Sequence, residues 1–168
     1  MKIKHDDLSS GDVIALLEEH LKDMYATSPP ESVHALDVTA LKLPNITFFS
    51  AWQSDVLAGC VAIRKLSSTE AELKSMRTVA AFRNKGVATQ LLTYVIEFAI
   101  ANGYQTLSLE TGTQGYFNAA RQLYAKNGFK DCEPFGNYQL DPNSHFMTKP
   151  LVNIDTSPLS PPKCFNTG

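Results

Sequence analysis

Arg83-Asn84-Lys85-Gly86-Val87-Ala88 sets two cations and a glycine directly ahead of a strongly patterned apolar run. A helix starting behind such a loop turns several unpaired backbone N–H groups, and the positive end of its dipole, toward one point. That point is an anion site. Positive side chains at a helix start oppose the dipole, so a bound anion accounts for Arg83 and Lys85 better than solvation alone does. The loop lacks the repeated glycines of a dinucleotide fingerprint and the Gly-Lys-Ser/Thr ending of a nucleoside-triphosphate loop, which weakens both nucleotide readings.

The elements that must position this loop follow from periodicity. Ile3 fits a short edge strand. Ser9, Ser10 and Asp12 offer caps for a helix with apolar residues at Val13, Leu17, Leu21 and Met24. Ser28-Pro29-Pro30-Glu31 breaks the chain and starts a second short helix through Val33, His34 and Leu36. Three strands follow, 46–52, 56–63 and 71–79, with separators short enough for an antiparallel meander. In the first of them Phe48, Phe49 and Trp52 read as core residues.

Val87, Leu91, Val95 and Phe98 then form a wide helical stripe closed by Asn102-Gly103. A strand over 106–111, a helix from Asn118 to Lys126 and a strand from Phe129 to Glu133 come next. A turn-rich loop, 135–144, leads to a last strand near 145–148. Helix, meander, then strand–helix units predict an α/β (α+β) domain, a mixed sheet with helices on its faces, over residues 1–151. Residues 152–168, rich in Pro, Ser and Thr, read as a tail that is disordered or lies on the body.

The chain has 168 residues, 43% of them hydrophobic, which suits one domain with one sizeable core. Its formal net charge of -2 provides no global field for nucleic acid or an anionic membrane, so neither is an expected partner. Cys60, Cys132 and Cys164 form neither a disulfide framework nor a zinc pattern, and no metal is expected. With no apolar leader at the amino terminus and no membrane-length apolar window, the expected setting is a reducing cytoplasm.

At Arg83, Gly86 and Ala88 the sequence resembles the GNAT acetyltransferase superfamily, whose signature is Arg or Gln, two residues, Gly, one residue, then Gly or Ala. The flanks match as well. Ala71-Glu72-Leu73-Lys74-Ser75-Met76-Arg77-Thr78-Val79 resembles the strand before that loop, and the block from Asn118 to Phe129 resembles the family's second conserved region, ending Leu-Tyr, two residues, Gly-Phe. Together they cover roughly residues 46–151. The resemblance implies a mostly antiparallel six- or seven-stranded sheet flanked by about four helices, with acetyl-CoA as acyl donor. Its pyrophosphate would lie on Arg83, Asn84, Lys85, Gly86, Val87, Ala88 and Thr89, and its pantetheine arm along Met76, Arg77 and Thr78. Thr78 departs from the more usual valine, but that contact is made by backbone. Asn118 would contact the arm, cap its helix, or both.

The family's reaction implies attack of an amine on the thioester carbonyl. An alkylammonium, with a pKa of about 10, must first lose its proton. The oxyanion needs a donor, which a main-chain N–H near a bulge in the 72–79 strand would supply. The leaving sulfur gains from a nearby acid, and Tyr124 matches the position of the family's tyrosine; the plainer alternative is a partly buried helix tyrosine. Glu72 and Glu110 are the candidate bases, acting through water, against the alternative of solvated strand-edge carboxylates. His34 falls in the segment that often walls the acceptor pocket, where it would bind a substrate carboxylate or relay a proton; surface or helix packing is its alternative.

The expected activity is N-acetyl transfer to a primary amine of a small molecule, with peptide or protein amines as an alternative. A non-catalytic acyl-CoA-binding module is a rival of a different class, and another nucleotide-phosphate enzyme is a second. Either a monomer or a homodimer fits.

Overall fold

A computed structural model describes residues 1–151. The tail expected from residue 152 onward lies outside the described residues. Element order is β1 (Lys2–His5), α1 (Gly11–Thr27), a 3-10 turn (Pro30–Ser32), α2 (Val38–Leu41), β2 (Ile46–Gln53), β3 (Val56–Lys65) and β4 (Glu70–Thr78). A 3-10 turn (Ala80–Phe82) then leads to α3 (Val87–Ala101) and β5 (Thr106–Gly112). Another 3-10 turn (Gly115–Phe117), α4 (Asn118–Lys126), β6 (Lys130–Asp131) and β7 (Ser144–Pro150) complete the fold.

The seven strands form one sheet in the order β1-β2-β3-β4-β5-β7-β6. The meander β2-β3-β4 is antiparallel, as its short separators predict. Ser54 and Asp55 close its first hairpin with φ of 49° and 64°, the left-handed pair that matches the twist of the flanking strands. β4 and β5 are the parallel neighbours, as the crossover through α3 requires.

Alternation along the strands divides the side chains between two layers. Phe49, Val61, Ile63, Leu73, Leu107 and Leu109 pack with Leu91, Leu92 and Val95 of α3 and with Tyr124 of α4. Burying each leucine of that set stabilises the fold by roughly 1.5–3 kcal/mol. On the other face Phe48, Leu57, Cys60 and Ala62 pack with Val13, Leu16 and Leu17 of α1 and Leu41 of α2. Trp52 is half-buried against this second layer.

Two local expectations are corrected. Residues 33–36 are not helical: Pro30–Ser32 makes one 3-10 turn, the chain then runs extended, and the next helix begins only at Val38 behind the Asp37 side chain, which caps Ala40. Prolines suited to a helix start satisfy a single turn equally well. The strand expected over 129–133 shrinks to Lys130–Asp131, which pairs with β7 at two positions.

Candidate functional site

β4 and β5 pair at Glu70–Thr106, Ala71–Leu107 and Glu72–Ser108 and then part. Beyond Glu72 no strand among the described residues lies beside β4 on that side. Into this wedge the chain introduces a bulge: Cys60 pairs with Arg77 and Ala62 with Lys74, so Val61 opposes both Ser75 and Met76. Ser75 takes φ 53°, a left-handed conformation that costs a non-glycine residue about 1 kcal/mol. Bulges increase twist and re-aim side chains, and here the strand bends away from β5 where it is bulged.

The turn after β4 has two left-handed residues, Asn84 at φ 60° and Gly86 at φ 81°. Gly86 is the N-cap of α3, contributes no capping side chain, and no acidic residue follows in the first turn. The first-turn N–H groups of this 15-residue helix are thus uncapped by side chains and open toward the wedge. A Cβ at Gly86 would meet no atom within 4 Å, so glycine is required there by φ and not by crowding.

Wedge, loop and helix start bound a cleft of about 570 Å³. Of the predicted site residues, Met76, Arg77, Thr78, Arg83, Asn84, Gly86, Val87, Ala88, Thr89, Glu110, Tyr124 and His34 all line it. Lys85 turns its ammonium over the Phe82 ring, 5.8 Å from the centroid. Asn118 is exposed at the start of α4, with Phe117 in the N-cap position, and it is not part of the lining. Glu72 is 1% exposed and also lies outside the lining.

Glu72 is therefore a buried carboxylate and not a solvated edge. Arg64 donates to its Oε2 from Nε at 3.2 Å and Nη2 at 2.8 Å. The Tyr138 hydroxyl donates to its Oε1 at 2.5 Å, and Lys74 Nζ lies 3.4 Å from that same oxygen. Lys74 also donates to the His34 carbonyl at 2.9 Å and to the Tyr138 hydroxyl at 3.0 Å. With both oxygens engaged, this carboxylate orders a wall of the site and has no lone pair directed at a reactant.

Glu110 differs. It is half-buried, lines the cleft, and has its pKa pushed up to about 7 by desolvation, partly opposed by the Ser144 hydroxyl and Lys74. Tyr124, which also lines the cleft, is 7% exposed and points its hydroxyl at Met76 Sδ, 3.8 Å away. Burial raises its pKa above the ordinary tyrosine value. His34 stacks edge-on against Tyr138 at 5.0 Å and is held neutral by desolvation and by Lys74.

Sequence reasoning missed two residues on the α1 side, His20 and Ser75, which line the cleft beside Arg77. The Arg77 side chain reaches α1 by donating to Glu19 at 2.9 Å and to Asp23, while also donating to the Tyr116 hydroxyl at 3.1 Å. The signal for His20 was present, since it lies three residues after Leu17 and four before Met24 on the helix stripe.

The chain is 53% identical to the uncharacterized N-acetyltransferase YsnE of Bacillus subtilis (strain 168) over 90% of its length and all of that protein. It is 46% identical to the uncharacterized N-acetyltransferase YedL of Escherichia coli (strain K12), over 93% of this chain and 98% of that one. Its fold superposes on that of an aminoglycoside 6'-N-acetyltransferase complexed with coenzyme A with a TM-score of 0.67 and 17% identity, covering 90% and 98% of the two chains. The family model described as Acetyltransferase (GNAT) family matches residues 13–129. On these matches this chain belongs to the GNAT acetyltransferase family.

Proposed function

We propose that residues 1–151 form one cytoplasmic N-acetyltransferase domain that moves the acetyl group of acetyl-CoA to a primary amine of a small molecule, by direct attack within a ternary complex. The observation that carries this reading is that Glu110 and Tyr124 line one cleft together with the start of α3. A base, an acid and a phosphate site share one cavity. Coenzyme A in the aminoglycoside 6'-N-acetyltransferase structure supports a CoA thioester as donor. Its aminoglycoside is not carried over, because 17% identity speaks for the fold alone.

The pyrophosphate sits on the N–H groups that open α3, aided by Arg83. The pantetheine amides run beside Met76 and Thr78, where β4 has left β5. Glu110, poised near neutrality, takes the ammonium proton through a water; a base works best with its pKa close to the working pH. The free amine attacks the thioester carbonyl, and a main-chain N–H at the Ser75–Met76 bulge stabilises the oxyanion. As the C–S bond breaks, the Tyr124 hydroxyl gives its proton to the sulfur, and the second proton, shed by the acylated nitrogen, returns the tyrosinate to its neutral form. We assign Glu72 to positioning, since its oxygens are occupied.

Steady-state release of free thiol from acetyl-CoA, measured over a panel of small amines and peptides, tests the reading. Turnover with at least one small amine is expected. Saturable acetyl-CoA binding with no turnover on any amine would instead make the chain an acyl-CoA-binding module.

A further inference from the structure

His20 Nδ1, Ser75 Oγ and Arg77 Nε are buried without a partner among the described residues, and all three residues line the cleft. Ser75 is 9% exposed and Arg77 6%. Leaving a buried donor unpaired costs on the order of 1–3 kcal/mol, so such groups call for a partner in water, an ion or a ligand. Each can donate: Arg77 Nε–H always, the serine hydroxyl by rotation, and His20 Nδ1–H as one tautomer. Arg77 cannot accept, so an ammonium or guanidinium would leave it unpaired.

The remaining donors of Arg77 and those of Lys74 are engaged within the protein. The Arg77 terminal nitrogens hold Glu19, Asp23 and Tyr116. Lys74 Nζ is taken up by His34, Tyr138 and Glu72. Two cations, Arg64 and Lys74, share the one Glu72 carboxylate. Burial first, then Arg77, and also Lys74, hold His20 neutral with a pKa pushed down to about 4, against the opposing pull of Asp23. Glu110 is the carboxylate that lines the cleft on β5.

We infer that the acceptor bears a carboxylate as well as its amine, and that His20, Ser75 and Arg77 receive this carboxylate on the α1 side of the cleft while the amine faces Glu110. The assignment rests on the acetyl-transfer reading and narrows it to amino-acid-like acceptors, setting aside polycationic amines. Three donors match a group that accepts up to about four hydrogen bonds.

The test uses the full-length protein saturated with acetyl-CoA and matched pairs of amines: α-, β- and γ-amino acids, aspartate and glutamate, each beside the amine lacking its carboxyl group, with spermidine as a polycation. Thermal stabilisation and thiol release are read on the same samples. The expected result is a carboxylated member that raises the midpoint further and has kcat/KM at least tenfold above its counterpart. His20→Phe and Ser75→Gly should each raise KM for that member fivefold or more, with a smaller change in kcat and none in the KM for acetyl-CoA. Glycine suits the left-handed backbone at position 75, so loss of folding does not confuse the result.

Equal or better turnover of carboxyl-free amines or spermidine, or variants that weaken both members of a pair alike, would overturn the assignment. A panel silent in both readouts would overturn it too. Carboxylated amines that stabilise the acetyl-CoA complex without releasing thiol would leave the carboxylate site standing and remove the transfer reading.

Discussion

Tyr138 donates its hydroxyl hydrogen to Glu72 Oε1 across 2.5 Å, joining the loop before β7 to the middle of β4. The same carboxylate holds half-buried Arg64 and lies beside buried Lys74, so it neutralises part of the charge of these two cations. Glu72→Gln should therefore lower unfolding stability by about 3 kcal/mol, because it leaves buried charge uncompensated. Tyr138→Phe, which removes one hydrogen bond and leaves the charges paired, should lower it by only about 1 kcal/mol. Urea unfolding of the two variants checks the ranking; equal losses would refute the structural role given to Glu72.

Glu110 sets a pH dependence of definite sign. As base it works when ionised, so kcat/KM should fall as pH drops through about 7. Glu110→Gln should remove that limb and lower kcat by about 10²–10³-fold. Stability should move the opposite way. The folded pKa of about 7 lies above the ordinary 4.5, so the cost of ionising this carboxylate is absent below pH 4.5 and grows as pH rises toward 7. At pH 8 the glutamine variant should be the more stable by on the order of 1–3 kcal/mol. Denaturant midpoints at pH 5 and pH 8 measure this.

Tyr124→Phe should lower kcat by roughly 10–100-fold and leave the KM for acetyl-CoA within a factor of two, because the lost atom serves the leaving sulfur. Burial keeps the hydroxyl protonated, so it adds no alkaline limb at neutral or mildly basic pH. A thiol-release profile in which wild type and variant fall off together at high pH would agree with that.

At the helix start two substitutions separate conformation from charge. Gly86→Ala has room for its methyl group but must adopt φ 81°, and it should cost about 1 kcal/mol of stability as well as raise the KM for acetyl-CoA. Arg83→Ala, at an exposed position, should change stability by less than about 0.5 kcal/mol and raise that KM on the order of fivefold, an effect that fades with added salt. Salt-independent binding by the wild type would contradict an electrostatic role for Arg83.

Local pattern carried most of the architecture. The α3 stripe, the bounds of α4 and the meander all follow from periodicity and turn chemistry within each segment, and the left-handed Gly86, Gly103 and Gly128 mark their ends as their neighbours suggest. Glu72 was not legible, because an alternating Ala-Glu-Leu-Lys run describes a strand with one solvated face equally well. What buries that face is Tyr138, sixty-six positions away. Residues 33–36 were misread for the opposite reason: local cues for a helix were present, but one 3-10 turn satisfies them, and Ser32 is then fixed by Asp141 from the far side of the chain at 2.6 Å.

The parting of β4 from β5 has one more consequence. The four strands before the wedge and the three after it share a ladder of three residue pairs, so backbone pairing at this seam is confined to one end. With pairing so brief, the two leaves are held otherwise by side chains, those of α3 and α4 beneath and those of Tyr138, Glu72 and Lys74 across the seam. A ligand whose amides pair along the open end would act as a temporary rivet, and the amide protons of the last residues of β4 would report its arrival by slowing their exchange with solvent.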